Sequence, residues 1–347
     1  MFEAVLSLCL LSDPSVCRDV LIPGYEATSV ADCEAMLARN PPDLDTYFVD
    51  FALDGLACTD APDPMPFQQA ASGVFVHRGI ISDAAPDNEG DVANVAFIVG
   101  ETAVAAIDSG GSRKVAEQIY RSIRSETQLP IRYVILTHMH PDHVLGASLF
   151  AQAGAEVVGH VGLERALLDR RETYLTNFGR LIGDGIFLGT QVVTPDVVVD
   201  GALEIDLGGR ILDLRTWPNA HTGTDLTVGD PTSGILFTGD LMFHEHAPAL
   251  DGSVLGWQQV LNEIQTLPYD TIMPGHGGPI LDWPDSAEPL QAYIELLIAD
   301  TRAAVARGDS LGDAVQVIAQ SQSTEWQLFD LFNPRNATVA FTELEWE

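Results

Sequence analysis

Basic residues are scarce in this 347-residue chain, with 17 Lys and Arg against 50 Asp and Glu and a net charge of −33. Lys114 is the single lysine; every other basic residue is an arginine. A surface of this sign repels nucleic acid and anionic membrane, which excludes both as partners and leaves solvation as the simplest role of the acidity. Cysteine is absent after Cys58, and the four present are Cys9, Cys17, Cys33 and Cys58. An even number packed into one short segment points to two disulfides and an oxidising compartment, with three pairings open. The rival is a zinc site of four thiolates, but the segment lacks the C-x2-C knuckle of such sites. No membrane-spanning run is visible either. The apolar stretch Ala4–Leu11 (AVLSLCLL) is short, holds a serine and a cysteine, and follows Glu3 rather than a basic stretch. It is therefore neither a span nor a complete signal peptide. A periplasmic or secreted protein is expected, its export signal absent from this sequence. Internal repeats and low-complexity tracts are missing too.

Apolar residues make up 46 % of the chain, enough for a large core, and the length suits one large domain with appendages. The proline- and aspartate-punctuated stretch CTDAPDPMPFQQ (Cys58–Gln69) separates two differently patterned regions. Residues 1–66 form a cysteine-bearing segment with a short helix expected over Val30–Arg39. Residues 67–290 read as apolar strands alternating with helices. The strands are expected at Gly73–His77, Val92–Val99, Ala103–Ile107, Ile131–Leu136, Glu156–Val158, Val197–Val199, Ile211–Leu214, Leu226–Val228 and Ile235–Phe237. Helices are expected over Lys114–Ser125 and Leu163–Arg171, followed by a less regular stretch to Pro195. Residues 291–347 form a helical extension packed on the main domain, with a capping box from Ser310 to Asp313. Strands first in a meander, then alternating with helices, imply sheets with helices packed outside them.

The strand-to-helix turn Thr137–His143 (THMHPDH) concentrates the chemistry. Histidines two apart on an extended chain face the same way, so His138 and His140 can share an ion. Asp142 and His143 follow at the start of a helix, turned toward a second position. Zinc accepts imidazole nitrogen and carboxylate oxygen at roughly 2.0–2.2 Å. Without a cation the same groups would be buried unpaired, at a cost of several kcal/mol. Three further candidates stand near strand ends: His221 in PNAHTGTDLTV, Asp240 in ILFTGDLMF and His276 in TIMPGHGGP.

H-x-H-x-D-H followed by H, D and H, with AIDSGGS at Ala106–Ser112, resembles the metallo-β-lactamase superfamily over roughly Gln68 to Leu290. The resemblance implies an α/β fold, an αββα four-layer sandwich with metals at the edge between two sheets. It implies that His138, His140 and His221 hold one metal, that Asp142, His143 and His276 hold another, and that Asp240 bridges them. An aspartate at 240, where the true β-lactamases resemble one another in carrying cysteine or serine, is similar to the glyoxalase II and lactonase branches. The cysteine-bearing leader, AHTGTDL and the terminal FTELEWE also resemble a periplasmic subgroup, the quinoprotein relay system zinc metallohydrolases.

The expected activity is that of a dinuclear zinc hydrolase. Two Zn2+ ions sharing a hydroxide would cleave an ester, thioester, lactone or amide of a small-molecule substrate. Asp142 would orient the hydroxide and Asp240 would keep the ions together. Asp108 and Thr137 are candidates for hydrogen bonding to ligands. His244, His246 and His160 are candidates for the substrate rim, and His77 is expected to be structural. Two other readings remain: a mononuclear Fe2+ oxygenase resembling persulfide dioxygenases, built on His138, His140, His221 and Asp240, and a non-enzymatic accessory protein.

Overall fold

The computed structural model describes residues 1–347, the side chain of Asp45 excepted. Three sheets follow one another along the chain. The first contains β1 (Phe2–Leu10), β2 (Cys17–Ala27) and β3 (Phe51–Asp60) in the order β2-β1-β3. The second contains β4 (Gln68–Ala71), β5 (Val74–His77), β6 (Val95–Val99), β7 (Val104–Ile107), β8 (Ile131–Ile135), β9 (Glu156–His160) and β10 (Val197–Val199), ordered β10 to β4 across the sheet. The third contains β11 (Ala202–Asp206), β12 (Ile211–Thr216), β13 (Leu226–Asp230), β14 (Ile235–Phe243), β15 (Thr271–His276) and β16 (Leu281–Asp282), in chain order.

Side-chain alternation assigns the layers, because successive residues of a strand point to opposite faces. Val74, Val76, Ala96, Ile98, Ala105 and Ile107 meet Leu212, Leu214, Val228 and Phe237 of the third sheet in one buried cluster. Val95, Phe97, Val104, Ala106 and Val134 point the other way, onto the Arg113–Glu126 and Leu163–Ile182 helices. Leu236 and Ile272 on the outer face of the third sheet pack against Trp257, Leu290, Leu297 and Phe341 from the Val254–Ile264, Glu288–Arg307 and Phe329–Leu344 helices. The result is the expected four-layer αββα sandwich. Within it, Ser112 caps the Arg113–Glu126 helix by accepting from the Val115 amide, and Val115, Ile119 and Ile123 bury completely. Each such side chain contributes about 1.5–3 kcal/mol.

The N-terminal segment is richer in strand than the sequence suggested. Its apolar run lies in β1, whose Ala4, Leu6 and Leu8 bury against Cys33 and Phe48. Cys9 faces Cys17 across the β1–β2 pair and is bonded to it, and Cys33 is bonded to Cys58. The segment docks on the Arg113–Glu126 helix through Arg121–Glu3 at 2.7 Å and Arg18–Glu117 at 2.8 Å, and none of its described residues lines the cavity described below. Among the described residues no helix is long and apolar enough to cross a membrane.

One helix and one strand depart from expectation. The Leu163 helix runs on to Ile182, with Tyr174, Leu175 and Phe178 of its second half packed on the core. Strand β14 continues beyond Phe237 to Phe243, so Asp240 lies within a strand rather than beyond it.

His77 closes the loop between β5 and β6 by bonding Pro66 O at 2.8 Å and the Asp91 carboxylate at 3.0 Å. Burial pulls its pKa down, but Asp91 and the Pro66 carbonyl outweigh that and raise it above 6.5. A raised folded value means that the pair's stabilisation is complete below 6.5 and is lost as pH climbs through the raised value. Urea midpoints of the wild type are expected to decline over that rise more steeply than those of His77→Gln. Parallel curves for the two proteins would refute the assignment.

Candidate metal centre

The edge of the sandwich at the C-terminal ends of β7, β8, β14 and β15 gathers all seven residues singled out above. Donor atoms of His138, His140, His221 and Asp240 lie within 4.8 Å of one another, and so do those of Asp142, His143 and His276. Local structure explains the aim of each. Chain leaving β8 stays extended through His140 (φ −67°, ψ 147°), and Pro141 then starts a short helix that carries Asp142 and His143. His221 sits in a turn held by Asp225, whose carboxylate accepts from the Thr222 amide at 2.9 Å and from its hydroxyl at 2.6 Å. Burial pushes the Asp225 carboxyl up to about 8, against the opposing effect of those bonds. His276 ends β15, where buried Asn94 donates to Pro274 O at 2.8 Å.

Hydrogen bonds on the far side of each ring fix its tautomer. Thr137 Oγ1 donates to Asp108 at 2.9 Å, so at 3.0 Å it accepts from His138 Nδ1–H. His143 Nδ1 donates to Asp108 Oδ2 at 2.8 Å, His221 Nδ1 to Ala249 O at 2.6 Å and His276 Nδ1 to Val92 O at 2.9 Å. All four therefore turn Nε2 inward. His140 is reversed: its Nε2 faces Asp251 Oδ2 at 3.4 Å, leaving Nδ1 directed inward.

The inward-facing atoms of the rings converge on one another. His221 Nε2 lies 3.0 Å from His140 Nδ1. Buried His138 Nε2, His143 Nε2 and Asp240 Oδ1 have no hydrogen-bond partner. Asp240 faces four imidazoles, with Oδ1 3.2 Å from His143 Nε2 and Oδ2 3.4 Å from His221 and His276 and 3.7 Å from His138. Proton affinities diverge accordingly. Burial pushes His221 down to about 3 and His138 well below the ordinary histidine value. Burial also opposes charge on His276, but Asp240 and Asp142 raise it to about 9. Burial would raise Asp142 and Asp240, yet neighbouring histidines hold both below the usual carboxylate range. Five imidazoles and two carboxylates with convergent donor atoms, three of them without a hydrogen-bond partner, fit divalent first-row cations.

The cluster floors a cavity of about 400 Å³. Its walls come from Phe178, Phe243, His246 and, unforeseen from sequence, Phe332, Arg335 and Val339 of the C-terminal helix. His246 thus reaches the rim as anticipated. His160 does not line the cavity; its Nδ1 accepts from Gly162 N at 2.8 Å. His244 likewise accepts from Gly278 N, at 3.3 Å, outside the lining. Sequence reasoning missed Asp251, Asp225 and Asn94, whose roles depend on partners distant in sequence or carry no distinctive local pattern.

The sequence pattern that describes the Metallo-beta-lactamase superfamily matches residues 88–276, ending on His276. The chain belongs to this superfamily. A curated relative, the Beta-lactamase-like protein 2 homolog of Caenorhabditis elegans, is 25 % identical over 201 residues, 57 % of this chain. The matched region spans 60 % of that relative's length. Among solved structures, a metallo-beta-lactamase from Pontibacter korlensis superposes with a TM-score of 0.54 at 18 % identity, covering 66 % of this chain and 98 % of that one. The inverting sec-alkylsulfatase Pisa1 from Pseudomonas sp. gives 0.61 at 15 % identity, covering 80 % of this chain and 50 % of its own. At these identities the likeness shows the superfamily fold. Members of the superfamily differ in activity, so the reaction must be argued from the site.

Proposed function

We propose that this superfamily member is a dinuclear zinc-dependent hydrolase of the periplasm or cell exterior, acting on an ester, thioester, lactone or amide. The observation that carries the reading is the convergence of seven donor groups, with His221 Nε2 3.0 Å from His140 Nδ1 beside partnerless His138, His143 and Asp240 atoms. His138, His140 and His221 would hold one ion, Asp142, His143 and His276 another, and Asp240 would serve both. Ions bound there supply Lewis acidity that polarises a carbonyl and brings the pKa of water toward neutrality. Asp142 lines the cavity as an ionised carboxylate, placed to accept a hydrogen bond from water and orient it. Phe178, Phe243 and Phe332 give the cavity an apolar wall. The two disulfides fit an oxidising compartment.

Metal content by mass spectrometry, on protein purified without chelators or nickel resin, tests the reading. Close to two zinc ions per chain together with turnover of a panel of esters, thioesters and lactones is the expected result. About one iron per chain with little zinc, and oxygen uptake on persulfides, would replace it with the oxygenase.

Arg335 is the single Arg or Lys side chain lining the cavity among the described residues, in a chain of net charge −33. Its guanidinium lies 5.7 Å from the Phe332 ring centroid, and no carboxylate among the described residues forms an ion pair with it. A substrate bearing a carboxylate is therefore expected to bind better than its neutral ester. Arg335→Ala should raise KM for the anionic substrate about tenfold, the worth of one hydrogen bond to a charged group. Equal KM changes for both substrates would refute a charge-reading role.

A further inference from the structure

We infer that the C-terminal helix positions the ligands His221 and His140, through Asn336 and Glu343, by holding the irregular segment between β14 and the Val254–Ile264 helix. The inference rests on the metal-centre reading above. Ala249 O in this segment accepts from His221 Nδ1 at 2.6 Å, and Asp251 Oδ2 faces His140 Nε2 at 3.4 Å. The Asp251 amide also donates to His221 O at 3.0 Å, and the Ser253 amide to Ala220 O at 2.9 Å. The segment has no ladder of its own, so the direction of the Ala249 carbonyl must be set from outside.

Asn336 sets it. This buried amide accepts from Leu250 N at 2.9 Å and donates to Pro248 O at 2.6 Å. Leu250 N and Ala249 O belong to one planar peptide unit and point in opposite directions. Asn336 therefore grips one side of a rigid plate whose other side fixes the His221 tautomer. Tyr293 Oη completes the amide by accepting its second hydrogen at 2.8 Å, while itself donating to Asn333. Two residues beyond Asp251, Glu343 accepts from Ser253 Oγ at 2.5 Å and from the Val254 amide at 2.7 Å. A carboxylate there satisfies orphan groups at a helix N-terminus and complements its dipole. It thereby anchors the chain that presents Asp251 to His140. The segment packs closely on the turn that carries His221, since a Cβ on Gly252 would lie 2.3 Å from Ala220 O.

The test compares Asn336→Ala with Asn333→Ala in the full chain. Asn333 is equally buried in the same helix, bonding Tyr293 and Ile318 O, but does not touch the 248–254 segment. Zn2+ affinity is read by chelator competition, and the Co2+ absorption spectrum reports ligand geometry. Asn336→Ala is expected to weaken one of the two ions about 10–100-fold, as loss of an outer hydrogen-bond partner does, and to change the Co2+ spectrum. Asn333→Ala should lower the melting temperature without either change. Unchanged metal binding in Asn336→Ala, or an equal loss in Asn333→Ala, would overturn the inference. If Asn336→Ala does not fold, Glu343→Ala at its half-buried position takes its place, with Glu343→Gln expected to rescue in part. A wild type that binds neither Zn2+ nor Co2+ would overturn the metal-centre reading itself, an outcome distinct from failure of the relay.

Discussion

Asp240→Ala is expected to leave less than one metal ion per chain and to abolish turnover, while the protein remains folded. The expectation follows from one carboxylate facing both groups of donors: Oδ1 lies 3.2 Å from His143 Nε2 and Oδ2 lies 3.4 Å from both His221 and His276. Truncation removes the only anion shared by the two clusters, so each would lose a ligand at once. Loss of an outer partner already costs about 10–100-fold in metal affinity or activity, and loss of a shared ligand should cost more than 100-fold in kcat/KM. His276→Ala provides the contrast. It belongs to the second group alone, so about one ion should remain. Two ions retained in Asp240→Ala, measured by mass spectrometry beside a circular-dichroism check of folding, would mean that the carboxylate does not bridge.

The sequence made the centre of this arrangement legible because its chemistry is local. THMHPDH carries four donors within one turn, and the switch from extended chain to helix at Pro141 orients them in two directions. His221, Asp240 and His276 were legible more weakly, as polar residues interrupting apolar runs. The outer partners were not. Asp251 reaches His140 across 111 positions and Asn336 reaches Leu250 across 86, and nothing around either residue encodes the partner. The same limit applied to the fold. Sheet alternation from Val74 to Ile107 was readable, whereas β1 and β3 depend on pairing that brings Phe2 against Asp60. Asp240 lies within β14 rather than beyond it because the strand continues through Gly239, at φ 51°, to Phe243 after a register shift.

That irregularity makes Gly275 a vulnerable position near the centre. Strand β15 approaches β14 so closely at Gly275 that a Cβ there would lie 1.9 Å from Asp240 Oδ1 and 2.8 Å from the Gly239 carbonyl carbon. Neither strand can yield easily. The Gly275 carbonyl accepts from Asn94 N at 2.7 Å, and β14 and β15 are paired on both sides of the contact. Gly275→Ala must therefore push the Asp240 carboxylate out of its position facing the four imidazoles, or part the strands. Overpacking of this kind costs typically 1–3 kcal/mol, and here the strain falls on the residue that both ions would share. Metal content and turnover are expected to collapse as in Asp240→Ala, with a lowered melting temperature in addition. Gly312→Ala, where the added Cβ meets nothing closer than Ser310 Oγ at 4.0 Å, is the control and should change neither. A Gly275→Ala protein with full metal content would show that β14 and β15 can separate without moving Asp240, and the close approach would then have no part in holding the bridge.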